Sequence, residues 1–83
     1  MPYITQDKRN DYGFDLGICH IPDPGTLNYL ITKFILTYIK SKGESYQTYN
    51  DVMGVLSCAG HELYRRKIQI YEDKKILENG DVF

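Results

Sequence analysis

The chain has 83 residues, and its ten lysines and arginines nearly balance eleven aspartates and glutamates, giving a net charge of −1. This length predicts a single domain, residues 1–83, which can bury only about 60% of its unfolded surface. The balanced charge gives no general attraction to duplex nucleic acid or an anionic membrane. The longest apolar run, Phe34 to Leu36, is too short to cross a bilayer.

The first residues carry no signal-peptide pattern, and only two cysteines are present. We therefore expect a cytoplasmic protein with free thiols.

Glycines and prolines interrupt residues 1–23. Within this range Phe14, Leu16 and Ile18 alternate with polar or small residues, which is the period of an extended chain. We predict an extended N-terminal arm, residues 1–23, laid over a hydrophobic groove.

A first helix, helix A, is predicted over residues 24–42. Asp23 is a good N-cap, and Gly43 follows two lysines as a helix-terminating residue. Tyr29 and Leu36 lie opposite the main apolar stripe, so we expect helix A to be contacted on two sides. That main stripe comprises Leu27, Leu30, Ile31, Phe34 and Tyr38.

A second helix, helix B, is predicted over residues 46–79, with residues 80–83 as a tail. Either Ser45 or Thr48 could cap it. A helix of about 30 residues is about 45 Å long, which exceeds the core that so short a chain can build. Its apolar positions follow the spacing of a coiled coil, with Arg66 on the same line; they are Tyr49, Val52, Leu56, Ala59, Leu63 and Ile70.

Small residues cluster in the middle of helix B, including two glycines that each cost about 1 kcal/mol relative to alanine. Close approach of another backbone would compensate for that cost. The predicted fold is therefore an all-α helical hairpin with a long second helix and an irregular arm, assembled as a homo-oligomer. The expected interface residues are Tyr29, Leu36, Gly54, Cys58 and Leu63.

The cysteines and histidines number four: Cys19, His20, Cys58 and His61. They could form a tetrahedral zinc site, but adjacent ligands such as Cys19 and His20 fit one metal poorly. Ser57 and His61 lack the third group and oxyanion hole that a catalytic triad requires. We expect no metal, no cofactor and no enzyme activity, and we assign no catalytic residue.

The only basic triplet, residues 65–67, lies between Tyr64 and Tyr71. Arginine and tyrosine together can bind phosphate and stack on a base. If a ligand binds here, we expect Arg65 to contact it and Arg66 to serve a structural role. The alternative to ligand binding is a solvated helix face on which Arg66 pairs with Glu62. Polar residues near the apolar lines could also contact a ligand, or could fix helix register. The candidate ligand residues are Asn28, Tyr29, Thr32, Tyr64, Arg65, Arg66 and Tyr71.

Several separated motifs resemble a family of small uncharacterised proteins of tailed phages and bacterial prophages. The resemblance covers residues 25 to the end and implies a phage or mobile-element setting, with no assigned activity. The family's N-terminal part is similar to a short helix, whereas residues 11–17 here are interrupted by glycines. The matching motifs are Leu27–Lys33, Ser45–Thr48, Asn50–Leu56, Glu62–Arg66, Tyr71–Lys75 and Glu78–Val82.

Together, these features lead to the hypothesis of a non-enzymatic, phage-encoded binding protein in the host cytoplasm. It would hold a small anionic ligand, such as a nucleotide signal of host defence, at interfaces between its own subunits. One alternative is an inhibitor or adaptor that binds a host protein. The other is a purely structural helical oligomer. No membrane or duplex nucleic acid is expected as a partner.

Overall fold

The computed structural model describes residues 2–11 and 20–83, and all regular secondary structure in these ranges is helical. The described chain divides into two units, residues 2–52 and 53–83. The elements are α1 (Gln6–Asp11), α2 (Pro24–Lys42), α3 (Tyr46–Leu63), a π-helical segment (Tyr64–Ile68) and α4 (Gln69–Asn79). The all-helical class and the long C-terminal helix are as predicted, whereas the hairpin packing and the homo-oligomer stay predictions.

The N-terminal arm differs from the extended chain predicted for it, because residues 6–11 form the short helix α1. Thr5 begins this helix: its hydroxyl accepts from the backbone N–H of Lys8 at 3.4 Å, and its carbonyl accepts from that of Arg9 at 3.0 Å. A threonine at this position satisfies the free N–H groups of a first turn. The alternating residues Phe14, Leu16 and Ile18 lie outside the described residues.

Helix α2 begins and ends where its local chemistry predicts. The Asp23 carboxylate accepts a 2.7 Å hydrogen bond from the backbone N–H of Thr26, and Pro24 occupies the first turn. At the other end Gly43 has a φ of 87° and donates its N–H to the Ile39 carbonyl at 2.7 Å. Glycine adopts this left-handed φ without the steric cost that a side chain would bring.

The Asp23 cap should make α2 sensitive to acid. The backbone N–H of Thr26 stabilises the ionised carboxylate and lowers the pKa of Asp23. The stabilisation is therefore complete above the ordinary aspartate pKa of about 4 and is lost as pH falls through the lowered value. The Asp23→Asn variant keeps an N-cap that does not titrate, so the helical content of the variant should fall less than that of the wild type between neutral and acidic pH. Equal losses in circular dichroism for the two proteins would contradict this assignment.

Both predicted apolar lines of α2 are largely uncovered. Tyr29 and Leu36 are 59% and 52% exposed, and Phe34 of the main stripe is 58% exposed. The half-buried apolar residues of this helix are Leu30, which belongs to the main stripe, and Ile35 and Ile39, which lie outside it.

Of the two possible caps for α3, Ser45 is the one used. Its hydroxyl accepts from the backbone N–H of Thr48 at 3.1 Å and lies 3.0 Å from the Thr48 hydroxyl. The helix therefore starts at Tyr46. Thr48 becomes its first-turn partner, and at 7% exposure it is the one buried residue of the described chain.

No described residue forms a hydrophobic core: every apolar side chain in residues 2–10 and 20–83 is at least partly exposed. The described residues of each unit therefore form no core by themselves. The hydrophobic effect is the main favourable term in folding, and isolated helices are marginal in water. None of the described helices is long and apolar enough to span a membrane.

Candidate binding surfaces

The predicted ligand residues fall in different units. Asn28, Tyr29 and Thr32 belong to residues 2–52. The remaining four lie on or after the π segment in residues 53–83, namely Tyr64, Arg65, Arg66 and Tyr71. Each group is described separately below.

On α2, the predicted ligand residues form a polar patch one helical turn long. The Thr32 hydroxyl donates to the Asn28 carbonyl at 2.8 Å and lies 3.2 Å from the Asn28 side-chain oxygen. Beside them the Lys33 ammonium lies 5.6 Å from the centroid of the Tyr29 ring. We call Asn28, Tyr29, Thr32 and Lys33 the α2 patch.

The charge of the α2 patch is not neutralised within the described chain. Residues 24–42 contain three lysines and no carboxylate. Lys33 makes no ion pair among the described residues. Sequence reasoning overlooked Lys33, although its i, i+4 spacing from Tyr29 predicts contact on one helix face.

The π segment was not predicted from the sequence. The backbone N–H of Gln69 reaches the carbonyl of Tyr64, five residues earlier, instead of the usual four. The Tyr64 hydroxyl also donates to Glu72 at 2.9 Å, eight residues along the chain. Two turns of α-helix span about seven residues, so this contact fits the extra residue that the π segment inserts.

The hydrogen bond to Glu72 also raises the pKa of Tyr64, and the charges of Glu72 and Asp73 act in the same direction. The hydroxyl therefore stays protonated and remains a hydrogen-bond donor. Because Tyr64 is engaged within its own chain, it is less available to a ligand than predicted.

The predicted pairing of Glu62 with Arg66 is wrong. Glu62 pairs with Arg65, whose Nε and Nη2 atoms lie 2.7 Å and 2.6 Å from the same carboxylate oxygen. Residues three and four positions apart are both neighbours on a helix, and Glu62 pairs with the one three positions along, Arg65. Among the described residues Arg66 makes no hydrogen bond or ion pair. Arg65, and not Arg66, is therefore the arginine that pairs within the chain.

The ring of Tyr71, the last candidate ligand residue, lies beside the ammonium group of Lys75, which already forms an ion pair. The Lys75 ammonium lies 5.4 Å from the ring centroid and 3.1 Å from the Glu78 carboxylate. The i, i+4 spacing of tyrosine and lysine repeats that of the α2 patch, and sequence reasoning overlooked it too.

The predicted interface residues are all exposed in the chain alone. Leu63 is 55% exposed, and Cys58 is an exposed free thiol. A β-carbon added at Gly54 would meet no described atom within 4 Å beyond its own stretch of helix. Any close backbone at Gly54 must therefore come from outside the described chain.

No cluster of three or more metal-ligating side chains exists among residues 2–10 and 20–83. Cys19, one of the four residues considered for zinc, lies outside the described residues. His20 belongs to residues 2–52, and Cys58 and His61 belong to residues 53–83.

These features define a small protein whose described residues are helical and form no hydrophobic core, with a cationic patch on α2 and a charged π segment. The chain belongs to the family described as Domain of unknown function (DUF6899), whose model matches residues 1–82. The resemblance to an uncharacterised family is thereby confirmed. No curated protein and no solved structure matches the chain.

Proposed function

We propose that this chain is a non-enzymatic binding protein that works as a homo-oligomer of helices. The supporting observation is that no described apolar side chain is buried. Residues 53–79 alone correspond to a helix of roughly 40 Å, and both glycines within it lower its intrinsic stability. Packing against other copies would supply the apolar burial that each chain lacks.

Thermal unfolding at different protein concentrations tests this assembly. An oligomer unfolds at a higher temperature when it is more concentrated, because association stabilises the folded state by mass action. We expect the melting temperature to fall on dilution from about 100 μM to about 1 μM. A melting temperature independent of concentration would contradict assembly. It would favour the alternative in which a host protein covers the apolar faces.

The finer form of the proposal is a phage or prophage protein that sequesters a small phosphate-bearing signal of host defence at subunit interfaces. The α2 patch supports this form, because Lys33 supplies an unneutralised cation beside an exposed tyrosine ring and a polar pair. Ammonium groups bind phosphate, and tyrosine rings stack on bases. The Glu62–Arg65 ion pair removes one of the cations first considered for this role.

A thermal-shift screen with linear and cyclic nucleotides should find a ligand that stabilises the protein. Ligand at 100 times its dissociation constant adds about 2.7 kcal/mol. Lys33→Met should weaken binding about tenfold or more, since a hydrogen bond to a charged group contributes about 1.5–3 kcal/mol.

Lys40→Met is the matched control, because it removes the same charge from α2 two turns beyond the patch. It should bind the nucleotide as the wild type does. If no nucleotide shifts the melting temperature, or if both variants bind with wild-type affinity, the finer proposal is wrong.

A further inference from the structure

The charges of the C-terminal helix are arranged in blocks of alternating sign. Reading along the chain, the blocks are Glu62, then residues 65–67, then Glu72 and Asp73, then Lys74 and Lys75, then Glu78. A parallel partner in register would place like charges side by side, which is unfavourable. A second copy running in the opposite direction would place the basic triplet against the acidic pair.

Most of these charges are already engaged within the chain. Arg65 pairs with Glu62, Lys75 pairs with Glu78, and Glu72 accepts from the Tyr64 hydroxyl. Arg66 and Asp73 make no hydrogen bond or ion pair among the described residues. Lys67 and Lys74 make none either, so Arg66 and Asp73 are two of four unpaired charges on this helix, and they have opposite signs.

Arg66 and Asp73 also share a helix face with two exposed apolar residues. Steps of four, three and four residues connect Arg66, Ile70, Asp73 and Leu77, which is the spacing of a single face. Ile70 is 65% exposed and Leu77 is 88% exposed. We call these four residues the pairing face.

The pairing face is complementary to itself. We infer that two copies of this chain pair antiparallel along their C-terminal helices, about a two-fold axis beside Ile70, with Arg66 of each copy bonded to Asp73 of the other. Arg66 precedes Ile70 by four residues and Asp73 follows it by three, so reversal of one copy brings them to within one residue of opposite positions, a rise of about 1.5 Å.

A second copy accounts for this face better than a small anion does. Asp73 and Glu72 would repel a phosphate group held by Arg66, whereas a two-fold interface requires both signs on one patch. The inference rests on the proposed self-assembly and assigns Arg66 to the second copy instead of to a ligand.

Charge reversal tests the pairing. Arg66→Glu and Asp73→Arg should each weaken dimerisation at least tenfold by sedimentation equilibrium, because each places like charges opposite one another twice. The double variant restores both pairs in reversed order and should dimerise within about threefold of the wild type, a difference of less than 1 kcal/mol. Lys75→Glu, which removes a cation already paired with Glu78, should leave dimerisation unchanged.

Disulfide cross-linking tests the direction of the two helices in a background with Cys19→Ser and Cys58→Ser. Ile70→Cys should cross-link to itself, because a residue beside the axis meets its own counterpart. Arg66→Cys and Asp73→Cys should cross-link when the two proteins are mixed, and neither should do so alone, because each lies well beyond disulfide reach of its own counterpart across the axis. In a parallel pair each would cross-link to itself, and that result would overturn the antiparallel arrangement.

The remaining outcomes separate this inference from the proposed function. A wild-type protein that is monomeric overturns both. A wild-type protein that assembles, with single variants that assemble equally well or a double variant that is not rescued, overturns the pairing alone. Inorganic phosphate that binds more tightly to Asp73→Arg, with unchanged assembly, would instead assign Arg66 to an anion.

Discussion

Ile70→Glu should convert the assembled protein into monomers. Ile70 lies on the predicted apolar line of the helix and on the pairing face, and it is 65% exposed in the chain alone. Placed beside a two-fold axis, the substitution brings two glutamates together and buries them without partners, which is strongly unfavourable. We expect the dissociation constant to rise about a hundredfold or more, equivalent to roughly 3 kcal/mol.

The same substitution should reduce helical content, since residues 53–83 have no core of their own. Gln69→Glu is the matched control, because it adds the same charge one residue away, about 100° around the helix. It should leave the mass and the circular dichroism spectrum unchanged. If Ile70→Glu also assembles as the wild type does, Ile70 does not contact a second copy.

Gly54→Leu should have the second large effect, a change in the stability of the protein. The direction of that change tells whether Gly54 is uncovered or packs against another backbone. Among the described residues, a β-carbon at this position meets no atom within 4 Å beyond its own stretch of helix. Leucine is a far better helix former than glycine, so an uncovered site would gain about 1 kcal/mol of stability. If another backbone packs against Gly54 in the oligomer, the larger side chain should instead cost about 1–3 kcal/mol and loosen the assembly.

We expect destabilisation, because Gly54 and Cys58 are one turn apart on the cluster of small residues. Gly60 belongs to the same cluster of small residues, so Gly60→Leu should also be destabilising. Chemical denaturation should show a loss of stability for both variants. A gain in both variants would mean that the two glycines are merely tolerated in the helix.

The predictable parts of the fold are those fixed by local chemistry. The all-helical class followed from apolar spacing, and the ends of α2 followed from the Asp23 cap and Gly43. The short helix α1 was missed although Thr5 carries a capping signal, because the glycines and prolines around it favoured irregular chain. Intrinsic helix propensity alone does not determine whether one capping residue outweighs the helix-breaking residues on either side of it.

The details of the charged surface depended on features that the sequence does not specify. The π segment inserts one extra residue into a helical turn, and no pattern in the sequence predicted its position. The choice of Arg65 over Arg66 as partner of Glu62 is a choice between two neighbouring helix positions. By contrast, the lysines that lie over Tyr29 and Tyr71 follow from their i, i+4 spacing and could have been predicted.

Native mass spectrometry at low micromolar concentration decides whether the chain assembles with itself, because it reports the oligomer and any retained ligand together. Most of the protein should have at least twice the 9.7 kDa mass of one chain. Ile70→Glu should shift the population to the single-chain mass, whereas Gln69→Glu should not. A wild-type protein that is helical by circular dichroism and has only the single-chain mass would contradict self-assembly.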